Sequence, residues 1–308
     1  MIALKREFIN PFRVPGKWYR GNVHAHTTIS DGTKTPEALV KLYKEAGYDF
    51  LSITDHSIVA KTQHLSTPDF LLVPGEEICI GTSNANTLYH IVALGIEKTL
   101  PFRDFDYRLN PQRVIDKINE LGGLAISAHP YWSGLNHKDM MTITGYHGVE
   151  IYNTSCDYER NTGYSDAHID GIIADGRKPF IYATDDHHGA EMGNAPLDAC
   201  VAWINVKAEE LTVESIMAAI RAGHFYSSTG PEFKDISIDE QGVISIECTP
   251  VRYISFISTP SLGLKYHSMG KPLTEAKYPG RPHETYVRIE IEDFEGRKAW
   301  SNPIYNLE

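Results

Sequence analysis

Between about residue 20 and residue 230, short apolar runs alternate with amphipathic segments. Thr35 to Gly47 carries a capping threonine, a proline at the first helical position, apolar residues at helical spacing and a closing glycine, which predicts a helix. Pro111 to Leu121 and Thr212 to Gly223 predict two more. Tyr48 to Thr54, Phe70 to Gly75, Leu88 to Leu94, Leu124 to Ala128, Gly148 to Asn153 and Pro179 to Thr184 read as buried strands. The β-α-β order around the first helix implies a parallel pair with a right-handed crossover. After Ser227-Ser228-Thr229-Gly230-Pro231 the pattern changes to alternating stretches, Ile236 to Ile238, Val243 to Cys248, Tyr253 to Ser258 and Tyr286 to Ile291, separated by turns. The expected organisation is therefore an α/β domain over residues 1–231 and a C-terminal β-sandwich-like domain over 232–308.

Composition narrows the class. A chain of 308 residues with 42 % hydrophobic and 22 % charged positions can bury a sizeable core without staples. The net charge of −11 argues against a stable nucleic-acid partner or an anionic membrane. No apolar run reaches membrane-spanning length, and Met1 to Arg13 lacks the features of a signal peptide, so a cytoplasmic protein is expected. Cys79, Cys156, Cys200 and Cys248 form no C-x-x-C pair and read as small buried hydrophobes.

The informative residues stand at the strand ends. In an extended segment His24 and His26 point to one face and can offer two imidazoles to one cation, and the Ser30-Asp31-Gly32 turn returns a carboxylate toward the same end. The next strands end on Asp55-His56, Glu76-Glu77, His129-Pro130 and Asp185-Asp186-His187-His188, and another carries His90. The carboxyl edge of such a sheet is where active sites assemble. Nine nitrogen and oxygen ligands suffice for about three cations, with positions left for water and substrate. Cations held at such a rim can lower the pKa of a bound water and present hydroxide to an ester bond, so no side-chain nucleophile is assigned. Glu150 and Asn153 end a strand on the same rim and are candidate substrate contacts, with Arg160 a candidate anion contact.

The chain resembles the PHP superfamily of metal-dependent phosphoesterases (polymerase and histidinol phosphatase). The resemblance lies in the His-x-His-Thr-x-x-Ser-Asp-Gly opening, Thr54-Asp55-His56, Pro74-Gly75-x-Glu77, His90 with Leu94-Gly95, Ala128-His129-Pro130 and the late Asp-x-His. Trp18 to Asn22, Gly148 to Asn153, Ala222 to Gly230 and Ala299 to Ile304 are similar to the carbaryl hydrolase-like (CehA/McbA) branch. The resemblance implies a distorted (β/α)7 TIM-like barrel with metals at its carboxyl rim. Carried over, His24, His26, Glu77 and Asp186 would hold one metal; Glu77, His90 and His129 a second; Asp31, His56 and His188 a third. Glu77 is preferred to Glu76 by the Gly-x-Glu spacing, and Asp186/His188 to Asp185/His187 because related members read Asp-Asp-x-His. The expected cofactors are two to three divalent ions of zinc, manganese or iron. The expected activity is hydrolysis of a small, anionic phosphate ester or nucleotide. The alternatives are carboxyl or carbamate ester hydrolysis, and a non-catalytic metal-containing binding protein.

Overall fold

The computed structural model describes residues 4–192, 195–258 and 262–307. Three predicted helices form as α1 (Pro36–Glu45), α2 (Pro111–Glu120) and α6 (Val213–Arg221). Each starts from a side-chain cap on its own backbone: Thr35, Asn110 and Thr212 accept from Ala38 N, Gln112 N and Ser215 N. Three further helices were not predicted: α3 (His137–Thr142), α4 (Thr154–Arg160) and α5 (Asp166–Ala174). The first two span six and seven residues, too short for a helical period to stand out.

The strands of the N-terminal part are β1 (Arg6–Glu7), β2 (Lys17–Asn22), β3 (Phe50–Ile53), β4 (Leu71–Ile80), β5 (Tyr89–Leu94), β6 (Leu124–Ser127), β7 (Gly148–Asn153) and β8 (Phe180–Thr184). A short hairpin, β9 (Glu191–Met192) and β10 (Ala195–Pro196), leads to β11 (Trp203–Ala208) and β12 (Phe225–Ser228). Strands β2, β3 and β4 are parallel, as are β6, β7 and β8, but β5 runs antiparallel to both β4 and β6. The result is a mixed α/β protein with a large, partly parallel sheet. Pro74-Gly75 lies where β4 passes from its pairing with β3 to its pairing with β5. A Cβ on Gly75 would come within 2.8 Å of Ser52 Oγ and 2.9 Å of Ala93 O, so only glycine lets the neighbouring strands approach here.

No strand ladder closes β8 onto β2 among the described residues. The edge of β8 is bonded largely by side chains. Ser227 accepts from Ala183 N and donates to Ile181 O, Asn302 accepts from Ile181 N, and Asn22 accepts from Asp185 N. Beyond the strand ends a single parallel bridge, Ala25 to His187, joins the two segments through His26 N to His187 O and Asp186 N to His24 O, so the expected ring of strands is not closed by a ladder among the described residues.

The C-terminal strands are β13 (Phe233–Ile238), β14 (Ile244–Val251), β15 (Tyr253–Ser258), β16 (Leu262–His267), β17 (Leu273–Tyr278), β18 (Tyr286–Glu292), β19 (Lys298–Trp300) and β20 (Ile304–Asn306). The anticipated boundary falls between β12 and β13. Strand β19 pairs with both β12 and β18, so the main sheet continues into this region. The separate β13-β14-β17 sheet packs on it through Ile236, Ile246, Tyr278, Phe256 and Ile289. Buried Arg288 makes a bidentate pair with Asp170 of α5 at 2.7 and 2.8 Å, and Trp300 stacks on Tyr152. Among the described residues no helix is long and apolar enough to cross a membrane.

Candidate metal centre

Past Asn22 the chain stays extended and lies between two neighbours: Thr54 N donates to Ala25 O at 2.8 Å, and His26 N donates to His187 O at 2.9 Å. His24 and His26 consequently share a face, and both are fully buried. Strand β4 outruns β3 and delivers Glu77 to the same rim, where its N–H donates to Thr54 O. His90 is the second residue of β5, at the strand's start rather than its end. Because β5 is reversed, that start lies at the rim where its parallel neighbours finish. His129 and Asp186 have left-handed backbone, with φ of 25° and 54°. Such conformations cost on the order of 1 kcal/mol or more in non-glycine residues and gather at functional sites.

The nine anticipated ligands converge. His24 Nε2 and His26 Nε2 are 3.2 Å apart; each is 3.2 Å from Glu77 Oε2, and they lie 3.0 and 3.1 Å from Asp186 Oδ1. The other Glu77 oxygen, Oε1, is 3.1 Å from His90 Nδ1 and 3.3 Å from His129 Nε2. Asp31 closes a third group, 3.4 Å from His26 Nδ1 and 3.5 Å from both His56 Nε2 and His188 Nε2. His26 therefore faces two groups, one through each ring nitrogen, which the residue-by-residue carry-over did not include. Each group brings its ligand atoms within 4.8 Å of one another.

The doubled Asp-x-His motif separates cleanly. Asp185 is fully buried behind the rim, where Tyr43 Oη, Thr154 Oγ1 and the N–H groups of Cys200, Val201 and Ala202 donate to it. His187 pairs through Nδ1 with Asp198 at 2.7 Å. Only Asp186 and His188 face the cluster. Asp198 itself gave no signal in the sequence: it sits in a loop and its second oxygen accepts from the N–H groups of His188, Gly189 and Ala190.

Glu150 and Asn153 do not line the cavity as substrate contacts. Both are buried one layer behind the ligands. Glu150 Oε1 meets His24 Nδ1 at 2.7 Å and accepts from Thr184 Oγ1, while Oε2 accepts from His129 N and Asn153 Nδ2. Asn153 also donates to Asp186 and caps α4 through Cys156 N. These contacts orient ligands and leave neither side chain free for substrate. Asp55 likewise organises the adjoining turn, accepting from Thr27 and Ser30, rather than His56. Arg160 does reach the cavity, a space of about 550 Å³ above the cluster. Of the four cysteines, all free, Cys79 and Cys156 also line it, and Cys79 Sγ lies 3.1 Å from His90 Nδ1.

The electrostatics call for positive charge at the centre. Burial would raise the pKa of Glu77 and of Asp186, but the facing His24 and neighbouring histidines override it and hold both carboxylates well below their usual range. Burial opposes protonation of His188, yet Asp186 and Asp31 outweigh it and push its pKa up to about 10. His24 Nδ1 is directed at Glu150 and its Nε2 at His26 Nε2, and buried Asp186 Oδ1 has no hydrogen-bond donor. Donor atoms around a tetrahedral ion with bonds of about 2.0–2.1 Å are roughly 3.3 Å apart. The 3.0–3.2 Å spacings in the innermost group fit such an ion.

No family profile matches the chain. The uncharacterized protein MJ1587 of Methanocaldococcus jannaschii is 30 % identical over 149 residues, covering 44 % of this chain and 81 % of that protein. The chain belongs to the MJ1587 family. A stretch of 86 residues is 41 % identical to the 5'-3' exoribonuclease Rnm of Escherichia coli, spanning 26 % of this chain and 29 % of Rnm. Among solved structures, a two-domain protein from Bacteroides vulgatus containing a predicted PHP-like metal-dependent phosphoesterase superposes over 99 % of both chains, with a TM-score of 0.54 at 18 % identity. This member of the MJ1587 family therefore shares its overall fold with that PHP-like protein, β-rich C-terminal region included.

Proposed function

We propose that the protein is a metal-dependent hydrolase of the phosphoesterase type, acting on a small phosphate ester or nucleotide. The observation that carries this reading is the division of Glu77, one oxygen facing His24 and His26 and the other facing His90 and His129. A carboxylate so placed can hold two cations side by side, the arrangement used for in-line displacement at phosphorus. His24, His26, Glu77 and Asp186 would hold one ion, Glu77, His90 and His129 a second, and Asp31, His56 and His188 a third. Zinc, manganese and iron all suit this donor set. When bound, the ions supply Lewis-acid polarisation of the ester and lower the pKa of water toward neutrality.

The chain's own residues do the positioning. Glu150, 2.7 Å from His24 Nδ1, would hold the proton of a metal-bound His24 on that nitrogen and turn Nε2 to the ion. Asn153 ties Glu150, the partner of His24, to Asp186 and so couples the positions of two of the proposed ligands. Arg160, the only arginine or lysine among the described residues lining the cavity, offers an anionic substrate its counter-charge. The match to an exoribonuclease supports phosphate over other esters.

Purified protein supplied with manganese, zinc or iron should turn over members of a phosphomonoester and phosphodiester panel faster than an aryl carbamate. Absence of phosphate ester turnover with all three metals would overturn the reading. Metal counting tests the ligand groups: His24→Ala and Asp31→Ala are expected to lower the stoichiometry of different ions, and loss of the same ion in both would refute the division.

A further inference from the structure

Two aromatic side chains stand at the cavity mouth without any role in the centre below. Phe105 and Tyr107 both line the cavity and are 65 % and 55 % exposed. Isolated exposed aromatics are ordinary. These two differ in that the backbone beneath them is fastened to the end of β4. Phe105 N donates to Cys79 O at 2.8 Å, Asp104 Oδ1 accepts from Cys79 N at 2.6 Å, Asp106 O accepts from Gly81 N at 3.0 Å, and Tyr107 O accepts from Thr82 Oγ1 at 2.6 Å. Phe105 is held at a φ of 62°, a left-handed conformation costly for a bulky residue. The segment thus fixes two flat apolar faces in water, where burial of neither stabilises the fold.

Another segment of the rim carries Trp132, fixed by its Nε1 bond to Glu159 and set edge-on to His90 at 5.5 Å and to His129 at 5.0 Å. Arg160 covers it at 5.3 Å. The cavity therefore has a ligand-rich floor, aromatic surfaces on two segments of its wall and one cationic side chain. At about 550 Å³ it accommodates a molecule of mononucleotide size.

We infer that Phe105 and Tyr107 form a stacking subsite for a flat aromatic ring on the alcohol side of the ester, so that the enzyme selects aromatic phosphate esters over aliphatic ones. This rests on the hydrolase reading for its turnover, though binding can be measured independently. A nucleobase and a simple aryl group share the chemistry the subsite recognises, because stacking is tolerant of ring identity. Arg160 would meet any further negative charge on the ligand.

The test compares adenosine 5'-monophosphate, phenyl phosphate and glycerol phosphate, by kcat/KM and by calorimetric binding to the metal-loaded protein. The variants are Phe105→Asn with Tyr107→Ser, asparagine being chosen because it tolerates left-handed backbone, and the ring-retaining pair Phe105→Tyr with Tyr107→Phe. In the wild type the aromatic esters are preferred. The first pair should lower the aromatic-to-aliphatic ratio by about tenfold, and the second should keep it. A higher ratio for the nucleotide than for phenyl phosphate identifies the nucleobase as the ring; equal ratios identify any aryl group. An unmoved ratio in the first pair, or an equal loss for all three ligands, overturns the subsite. If no ester is hydrolysed but aromatic ligands bind selectively and the first pair abolishes that selectivity, the hydrolase reading fails and the subsite stands.

Discussion

Glu77→Gln is expected to reduce turnover on the order of a thousandfold, because several kcal/mol of charge stabilisation depend on ions that this one residue joins. The glutamine amide keeps the shape of the side chain but has a single acceptor oxygen and no charge. It cannot face His24 and His26 with one oxygen and His90 and His129 with another, as the carboxylate does. The nearby Glu76 cannot substitute. It points the other way, accepts from Leu100 N, and burial, with Asp104 adding to it, pushes its pKa up to about 7. Elemental analysis of the purified variant should show a fall in bound metal beside the kinetic loss. A full metal complement in Glu77→Gln would refute its bridging position.

Asp198→Ala should be the most damaging substitution outside the ligand set, destabilising the protein by about 3 kcal/mol, since each buried donor left unsatisfied costs roughly 1–3 kcal/mol. Asp198 is fully buried. One oxygen faces His187 Nδ1 at 2.7 Å, and the other receives three successive N–H groups from residues 188–190. Its removal orphans these donors and releases the loop that carries His188, so affinity for the ion held with Asp31 and His56 should fall about 10- to 100-fold. Burial raises the Asp198 pKa, but the pairing with His187 and the backbone donors bring it below the ordinary value. The stabilisation is therefore complete above the usual carboxylate range and fades as pH falls through the lowered pKa. Denaturant midpoints read the first effect and metal titration the second. A midpoint equal to that of the wild type would show that the loop is held by something else.

What was legible in the sequence follows from what periodicity and spacing record. Apolar runs followed at once by histidine or carboxylate mark strand ends, and His56 and His129 stand where that rule puts them, whereas Glu77 lies inside β4, which runs on past the expected end at Gly75 to Ile80; His24 and His26 follow from their i, i+2 spacing in extended backbone. His90 was found for a different reason than the one that places it: the sequence pattern of a short buried strand carries no direction, and β5 runs against its neighbours. Glu150 is legible as a rim residue, but the sequence reading makes it a substrate contact where the structure has it supporting ligands. Its partners, His24, His129 and Thr184, come from three other segments, and no local pattern encodes which of them it meets. Asp198 was invisible for the same cause, being a loop aspartate whose four partners exist only after the 187–190 turn is formed. The continuation of the main sheet through β19 was hidden because β12 and β19 are three to four residues long and seventy residues apart, beyond the reach of any repeat.

The placement of the ligands along the chain bears on how the centre comes into being. Its first histidine is residue 24 and its last is residue 188, with members drawn from segments on both sides of a reversed strand. A nascent chain exposes His24, His26 and Asp31 long before Asp186 and His188 have been synthesised. Because a complete donor set does not exist before segments so far apart in sequence have met, any cation that binds all of these groups would stabilise the native topology over every less complete arrangement of the chain.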